Sequence, residues 1–411
     1  MRTRTRTTLL AVAFVAFVSL GLPDAVLGVA WPSIRDTFKL PISQLGVLLA
    51  TMMAGYLVSS FGSGGMVAGL GVGRLLLWSS ILIVLSLAGY ATAPAWWVML
   101  ACGVLAGLGA GAIDAGINAY AAHHFSPRVV NWLHACYGVG AMLGPLLMTG
   151  FIAGGLPWRW GYAVIGAILA AMAVCFFVTR KLWEDDGDTA SGEAAEKADA
   201  DALTPAGMLQ ALGRPITWAG IVLFFVYTGL EVTAGQWAYS LFTEARGVTP
   251  AVAGVWVGIY WGSLTAGRVF FGAAAARVPA PVLLRLAMAS APLAAGLLWW
   301  NAAGITGFVG LALLGFTLAP IFPLLISLTP ARVGRAYAAQ AVGFQVSAAY
   351  LGAAALPGLA GVLARRAGLE VIGPVLVVAA VVLLVLHEVV LRRTSAPTVR
   401  GFEVVPAEGA G

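Results

Sequence analysis

Three acidic residues, Asp24, Asp114 and Glu231, lie in stretches of the sequence that are otherwise almost entirely apolar. A charge at the centre of a membrane-spanning helix costs roughly 2.5–3.5 kcal/mol, so one that persists there faces a cavity, pairs with another group or does chemistry. In a partly dry cavity the charged form of a carboxyl group is disfavoured. Such a group can take up a proton on one side of a membrane and release it on the other. We therefore predict that these three residues couple to protons.

Asp114 has a polar neighbour on the same helix face, because Asn118 follows it by four residues. A carboxylate and an amide on one face can hydrogen-bond a polar solute, so Asn118 is predicted to bind the solute. Each acid also has a structural alternative. Asp24 follows Pro23 and could cap a broken helix. The Asp114–Asn118 pair could join two packed helices, and Glu231 could be held by a structural pairing.

Further polar and aromatic residues in the apolar runs are weaker candidates. His134 and Tyr137, in NWLHACYGVGAMLGP, are three residues apart and share a helix face. Arg268, in GSLTAGRVFFG, either extends its charge to the membrane interface or forms a gating contact. The residues predicted to line the solute site are His134, Tyr137, Gln236, Trp237, Gln340 and Gln345.

The composition of the chain indicates that these candidate residues belong to a membrane protein. Of the 411 residues, 60% are hydrophobic and only 10% are charged, whereas soluble domains carry about 25% charged residues. This excludes a soluble enzyme and a nucleic-acid-binding domain. The sequence contains no GxxxxGK[ST] phosphate loop, so ATP-driven transport would need a separate subunit. The three cysteines lie in apolar runs without metal-ligand spacing, and no metal site is predicted.

Apolar runs of the length that spans a bilayer, about 20 residues, predict an all-α protein with twelve transmembrane helices. A polar linker, 183–213, separates two six-helix bundles, 1–182 and 214–393, and 394–411 forms a tail. The predicted spans are 8–31, 43–66, 74–93, 95–123, 130–154, 160–180, 214–243, 249–273, 281–301, 304–328, 335–363 and 369–391.

The two predicted bundles repeat each other weakly in sequence. Gly21-Leu22 before Asp24 corresponds to Gly229-Leu230 before Glu231, with the two acids 207 residues apart. Repeated halves joined by a polar linker are typical of transporters in which the halves rock around a central site. We therefore expect pseudo-symmetric bundles with the acids between them.

Basic residues predict the orientation, because loops on the cytoplasmic side carry an excess of Lys and Arg. With the N-terminus in the cytoplasm, sixteen of the 23 basic residues lie in inside segments and six in outside segments. We expect a multi-pass protein of the plasma or inner membrane with both termini in the cytoplasm. The expected partners are the bilayer and a small-molecule solute, without nucleic acid, and the protein is expected to be a monomer.

The segments around Asp24 and from Asp114 to Asn118, together with NWLHACYGVGAMLGP and GFTLAPIFPLLISL, resemble the major facilitator superfamily. Within it they resemble the fucose:proton symporter family. The resemblance covers almost the whole chain and implies the major facilitator fold. It implies that Asp24 and Asp114, with Asn118, serve proton and sugar. The superfamily's gating motif between spans two and three is partly present, since GGMVAGLGVGRLL keeps Arg74 but has no acid.

The leading hypothesis is a proton-coupled symporter that imports a small polar solute, a sugar or a sugar-like compound, by alternating access. No cofactor is expected besides the coupling proton. A proton-driven exporter of drugs or metabolites would use the same carboxylates. Sodium could replace the proton, because the oxygen atoms of Asp24, Asp114 and Asn118 are suitable ligands. A receptor or scaffold would leave the acids inside the membrane without a purpose.

Overall fold

The computed structural model describes residues 3–183, 205–302 and 304–395, and most of these residues are helical. Each predicted span coincides with a long helix or with two consecutive helices. Spans one to six are Thr3–Asp24 with Val26–Phe38, Gln44–Leu70, Val72–Thr92, Trp96–His124, Pro127–Ala153 and Trp158–Thr179. Spans seven to twelve are Pro215–Ser240, Pro250–Ala274, Ala280–Trp300, Ile305–Leu318 with Ile321–Val333, Ala338–Ala367 and Ile372–Ser395. Shorter helices cover Arg180–Trp183, Pro205–Leu212, Leu241–Ala245, Arg335–Tyr337 and Leu369–Val371.

The prediction of an all-α membrane protein is confirmed. Within the described residues, eleven helical segments are long and apolar enough to cross a bilayer. Span eight, Pro250–Ala274, is as long as these but is not among the eleven, and it contains Arg268 and several glycines. Of the predicted linker and tail, residues 184–204 and 396–411 lie outside the described residues. The bundle boundaries stay predictions.

Spans one and ten are interrupted where the sequence has proline. Span one ends its first helix at Asp24, directly after Pro23, and the chain resumes a helix at Val26. Span ten is interrupted at Ala319 and Pro320. Proline lacks the N–H that would continue the helical hydrogen bonds and its ring clashes with the preceding turn. A break at Pro23 is the alternative that the sequence left open, whereas the break in span ten was not expected; the first break places Asp24 at a helix end in mid-span.

The helices pack in the same order within each half. Span one packs on spans five and six, span two on span four, and span three on spans four and six. In the second half, span seven packs on spans eleven and twelve, span eight on span ten, and span nine on spans ten and twelve. The weak sequence repeat therefore corresponds to a repeat in helix packing.

Glycines allow the closest of these crossings at equivalent places. A Cβ on Gly107 would lie 1.8 Å from the carbonyl oxygen of Met52, and one on Gly315 would lie 2.5 Å from that of Tyr260. Close backbone approach at small residues is how membrane helices gain van der Waals contact in lipid. The glycine pairs fix spans two and eight against spans four and ten, respectively, and thereby position the polar residues that these helices carry.

Among the described residues, the main contacts between the two halves are made by three pairs of spans: one with seven, two with eleven, and five with eight. The linker joins the end of span six to the start of span seven, and we call that side of the molecule the linker side and the opposite one the far side. On the far side, Arg35 forms a 2.7 Å ion pair with Glu244. Nearby, a Cβ on Gly46 would lie 2.5 Å from the Cα of Gly358. These contacts close the far side.

Replacing Gly352 with alanine is expected to destabilise the protein, because the added Cβ would lie 2.0 Å from the carbonyl oxygen of Phe225. Forcing extra volume into a packed contact costs typically about 1–3 kcal/mol. Gly343→Ala is the matched control on the same helix, since a Cβ there meets nothing within 4 Å. Apparent unfolding temperatures of the purified proteins in detergent should fall for Gly352→Ala and not for Gly343→Ala. Equal temperatures for the two variants would contradict the close crossing of spans seven and eleven.

Candidate functional site

Asp24 lies at the break of span one, and its carboxylate does not cap a helix. The second helix of the span begins after Ala25 without a side-chain capping bond. Instead the hydroxyl of Tyr137, on span five, donates a hydrogen bond to Asp24 Oδ2. Asp24 is exposed even though it lies in mid-span. The break at Pro23 therefore presents an exposed carboxylate, and its hydrogen-bond partner is a tyrosine from a neighbouring helix.

Asp114 is held by three side chains from three spans. Asn118 Nδ2 donates to Oδ1 at 2.8 Å along span four, as the four-residue spacing allows. Oδ2 accepts a 2.6 Å hydrogen bond from the hydroxyl of Tyr56 on span two, and the hydroxyl of Tyr350 on span eleven lies 3.5 Å from the same oxygen. Tyr56 and Tyr350 also hydrogen-bond each other. Asp114 is half-buried, so a carboxylate of the first half contacts a residue of the second half.

His134 connects this region to the second half. Its ring is exposed and packs edge-on against Phe17, with the ring centroids 5.4 Å apart. It interacts electrostatically with both Asp114 and Arg268. Tyr137 interacts with Asp24, Asp114 and Arg268. These electrostatic interactions link residues of spans one, four and five in the first half to Arg268 on span eight of the second half.

Glu231 has a different environment from the other two acids. It is buried, with 8% of its surface exposed. The hydroxyl of Tyr227 donates to Glu231 Oε2, and Arg268 Nη2 on span eight lies 3.9 Å from Oε1. The Tyr260 hydroxyl donates to the Glu231 backbone oxygen at 2.8 Å. Glu231 and Arg268 thus compensate each other's charge and link spans seven and eight, which is the structural pairing that the sequence analysis left open.

The acids of the two halves consequently have different partners. In the second half, the carboxylate of Glu231 lies beside a guanidinium. Among the described residues, Asp24 and Asp114 have no basic partner within ion-pair distance, and their hydrogen bonds come from tyrosines and an amide. A carboxyl group without a compensating cation has less to hold it ionised in a poorly solvated place. Asp24 and Asp114 stay predicted proton carriers, and neither has a cation beside it among the described residues.

Four other predicted solute ligands lie in helix contacts. The indole of Trp237 is fully buried and donates to the carbonyl oxygen of Pro357 at 3.0 Å. Gln345 is buried, and its Oε1 lies 2.9 Å from the hydroxyl of Thr329. Gln340 is also buried. The backbone of Gln236 touches span one at Gly28, where a Cβ would lie 2.8 Å from its Cα. In this conformation all four residues are buried, and the described hydrogen bonds of Trp237 and Gln345 go to other residues of the protein.

The two predicted gating residues lie in different places. Arg268, whose side chain is 30% exposed, faces the space between the halves and pairs with Glu231. Arg74 is exposed in the first turn of span three, on the linker side. The exposed Asp24 and His134 lie between the halves, which are in contact on the far side.

Sequence reasoning missed the tyrosines that hold the acids. Tyr227 precedes Glu231 by four residues on one helix face, so the spacing rule that identified Asn118 could have identified it. Tyr56 and Tyr350 have no such signal, because their partner lies on another helix. Their contact with Asp114 depends on how spans two, four and eleven pack.

Comparison with known proteins agrees with this architecture. The family model of the Major Facilitator Superfamily matches residues 9–357. Bypass of stop codon protein 6 from Saccharomyces cerevisiae is 24% identical over 392 residues, which are 87% of this chain and 77% of that protein.

Two solved structures share the fold. A mutant of the nucleoside transporter NupG superposes with a TM-score of 0.77 at 10% identity and covers 93% of this chain and 99% of its own. A D-xylose-proton symporter gives a TM-score of 0.69 at 16% identity, with 92% and 97% covered. With most of its length matched by the family model and its helices arranged as in these transporters, the chain belongs to the Major Facilitator Superfamily.

Proposed function

We propose that the protein is a proton-coupled symporter that imports a small polar solute, a sugar or a sugar-like compound. Family membership makes the chain a membrane transporter and not an enzyme. The observation that carries the proposal is the pair of carboxylates, Asp24 and Asp114, that have no basic partner among the described residues and border the space between the halves. Groups of this kind can bind a proton in one conformation and lose it in another.

Two likenesses support the class of solute and the coupling ion. The superposing structures are described as a nucleoside transporter and a D-xylose-proton symporter, both of which handle hydroxylated compounds. The segments around Asp24 and Asp114 resemble the fucose:proton symporter family. On that resemblance, His134 and Tyr137 replace the amides expected in a fucose site, which argues against fucose itself as the solute.

The proposed roles follow from the contacts. Asp24 carries the proton, with Tyr137 as its hydrogen-bond partner. Asp114 and Asn118 bind the solute, and Asp114 takes part in proton transfer. His134 and Tyr137 border the same space and contact the solute. The Glu231–Arg268 pair keeps spans seven and eight together and supplies a fixed, balanced charge in the second half.

The excess of Lys and Arg on the linker side supports the proposal that this side faces the cytoplasm. The structure then corresponds to a state that is open to the cytoplasm and closed to the outside. The proposed location is the plasma or inner membrane, with both termini in the cytoplasm. The protein is proposed to work as a monomer, because both halves of the site come from one chain, and to use no cofactor besides the coupling proton.

Asp24→Asn is expected to abolish solute accumulation driven by a pH gradient, because an amide cannot take up the coupling proton. The measurement is uptake of a labelled sugar into proteoliposomes, with the sugar chosen by a thermal-shift screen of sugars and polyols on purified protein. Counterflow exchange should survive, since it needs no net proton movement. Asp36→Asn, an exposed acid on the same span, is the matched control and should accumulate solute normally. Accumulation by Asp24→Asn at the wild-type level would refute the role of Asp24.

Replacing sodium with choline on both sides of the same proteoliposomes should leave uptake unchanged, because the proposal assigns coupling to the proton. An imposed pH gradient should drive accumulation in the absence of sodium. Uptake that follows a sodium gradient without a pH gradient would instead favour Asp24, Asp114 and Asn118 as oxygen ligands of sodium.

A further inference from the structure

Tyr56 and Tyr350 join the two halves of the protein in mid-membrane. Tyr56 lies on span two and Tyr350 on span eleven, and these spans form one of the three contacts between the halves. Their ring centroids are 4.0 Å apart, and their hydroxyls hydrogen-bond each other. Any movement that separates spans two and eleven on the far side pulls on this contact.

The same two hydroxyls converge on Asp114. Oδ2 of this carboxylate accepts a hydrogen bond from Tyr56 at 2.6 Å, and the Tyr350 hydroxyl lies 3.5 Å from the same oxygen. A tyrosine hydroxyl has a single proton to donate. An ionised Asp114 accepts from Tyr56, which in turn accepts from Tyr350, so all donors are used in one direction. A protonated Asp114 is itself a donor and needs an acceptor, so its proton disturbs this one-way row of hydrogen bonds.

We propose that Tyr56 and Tyr350 form a tyrosine clasp that couples the protonation of Asp114 to the closure of the far side. The inference rests on the proposed role of Asp114 in proton transfer. Hydrogen bonds donated to a carboxylate stabilise its ionised form. The clasp is complete only when spans two and eleven are in contact, so the state closed to the outside favours loss of the proton from Asp114, and the opened state favours its uptake.

The clasp thereby gives the transport cycle a direction. Asp114 binds a proton while the site faces the outside and the clasp is broken. Closure of the far side brings Tyr350 back to Tyr56 and Asp114, and the proton is released towards the cytoplasm. By linkage, protonation must favour the conformation that binds the proton more tightly, which here is the conformation open to the outside.

Other charged or titratable groups face Asp114 and contribute to any pH dependence. Span three also packs on span four. Near Asp114 this contact is made by Leu75 and Ile83, which do not titrate. Arg268 of span eight acts on this region through His134 and Tyr137. The groups that interact electrostatically with Asp114 are Asp24 of span one, Tyr56 of span two, His134 and Tyr137 of span five, and Tyr350 of span eleven.

The test measures how pH changes the opening of the far side in full-length protein in liposomes. The three native cysteines, Cys102, Cys136 and Cys175, are replaced by alanine. Spin labels are then attached at Thr92→Cys and Ala251→Cys, at the far-side ends of the two halves, and the distance between the labels is measured. Lowering the pH from about 8 to about 5 should raise the ratio of open to closed far side roughly tenfold, within the range of about 5–150-fold that such couplings span.

Tyr350→Phe should raise the population with an open far side at high pH. It should also remove most of the pH dependence of that population that Asp114 causes. Asp114→Asn should remove the same part, and the double variant should behave like Asp114→Asn alone, because the two residues act as one unit. Glu244→Gln is the matched control: it breaks the Arg35–Glu244 link between the halves without touching Asp114. It should raise the open population equally at every pH.

Two results would overturn the clasp: a Tyr350→Phe variant with the wild-type pH dependence, or effects of Tyr350→Phe and Asp114→Asn that simply add. Either would leave the symport proposal standing, since uptake in proteoliposomes measures it separately. If Asp114→Asn itself retained the wild-type pH dependence, the assignment of a proton to Asp114 would fail, and the clasp with it.

Discussion

A carboxylate inside a membrane must be compensated by a cation, by hydrogen-bond donors or by water, and the two halves of this protein do so differently. In the second half, Glu231 is buried beside Arg268 and Tyr227. In the first half, Asp24 and Asp114 have tyrosine and amide donors only. Breaking a buried ion pair leaves an isolated charge and is costly, whereas a carboxyl group held by neutral donors changes its proton at smaller cost. On the proposed function, this difference gives the fixed charge to one half and the mobile proton to the other.

The asymmetry is built on a symmetric scaffold. The helices of both halves pack in the same order, and glycines permit close crossings at equivalent places, such as Gly107 on Met52 and Gly315 on Tyr260. A rigid body made by such crossings can rock as a unit, so a few contacts between the halves decide which side is open. On the far side those contacts include the Arg35–Glu244 pair and the meeting of Gly46 with Gly358. The Tyr56–Tyr350 contact lies deeper and reaches one of the acids.

Much of this architecture could be predicted from the sequence, because a charge in an apolar run is rare and visible in one dimension. That signal identified Asp24 and Asp114, and helical spacing identified Asn118. The sequence could not show that Tyr56 and Tyr350 complete the environment of Asp114, since their meeting depends on how three helices pack. For the same reason, Trp237 and Gln345 were expected at the solute site but lie in helix contacts in this structure. Polarity in a span indicates that a partner exists, and only packing shows whether that partner is solute or protein.

The most direct test of the account is to observe the protons themselves. Infrared difference spectra between high and low pH report the stretching band of protonated carboxyl groups, without need of a known solute. Asp24→Asn and Asp114→Asn should each remove part of this band, while Glu231→Gln is predicted to leave it unchanged, because Arg268 lies 3.9 Å from Glu231 Oε1 and favours its ionised form. A band that vanished in Glu231→Gln and persisted in both aspartate variants would contradict the assignment of the mobile proton to the first half.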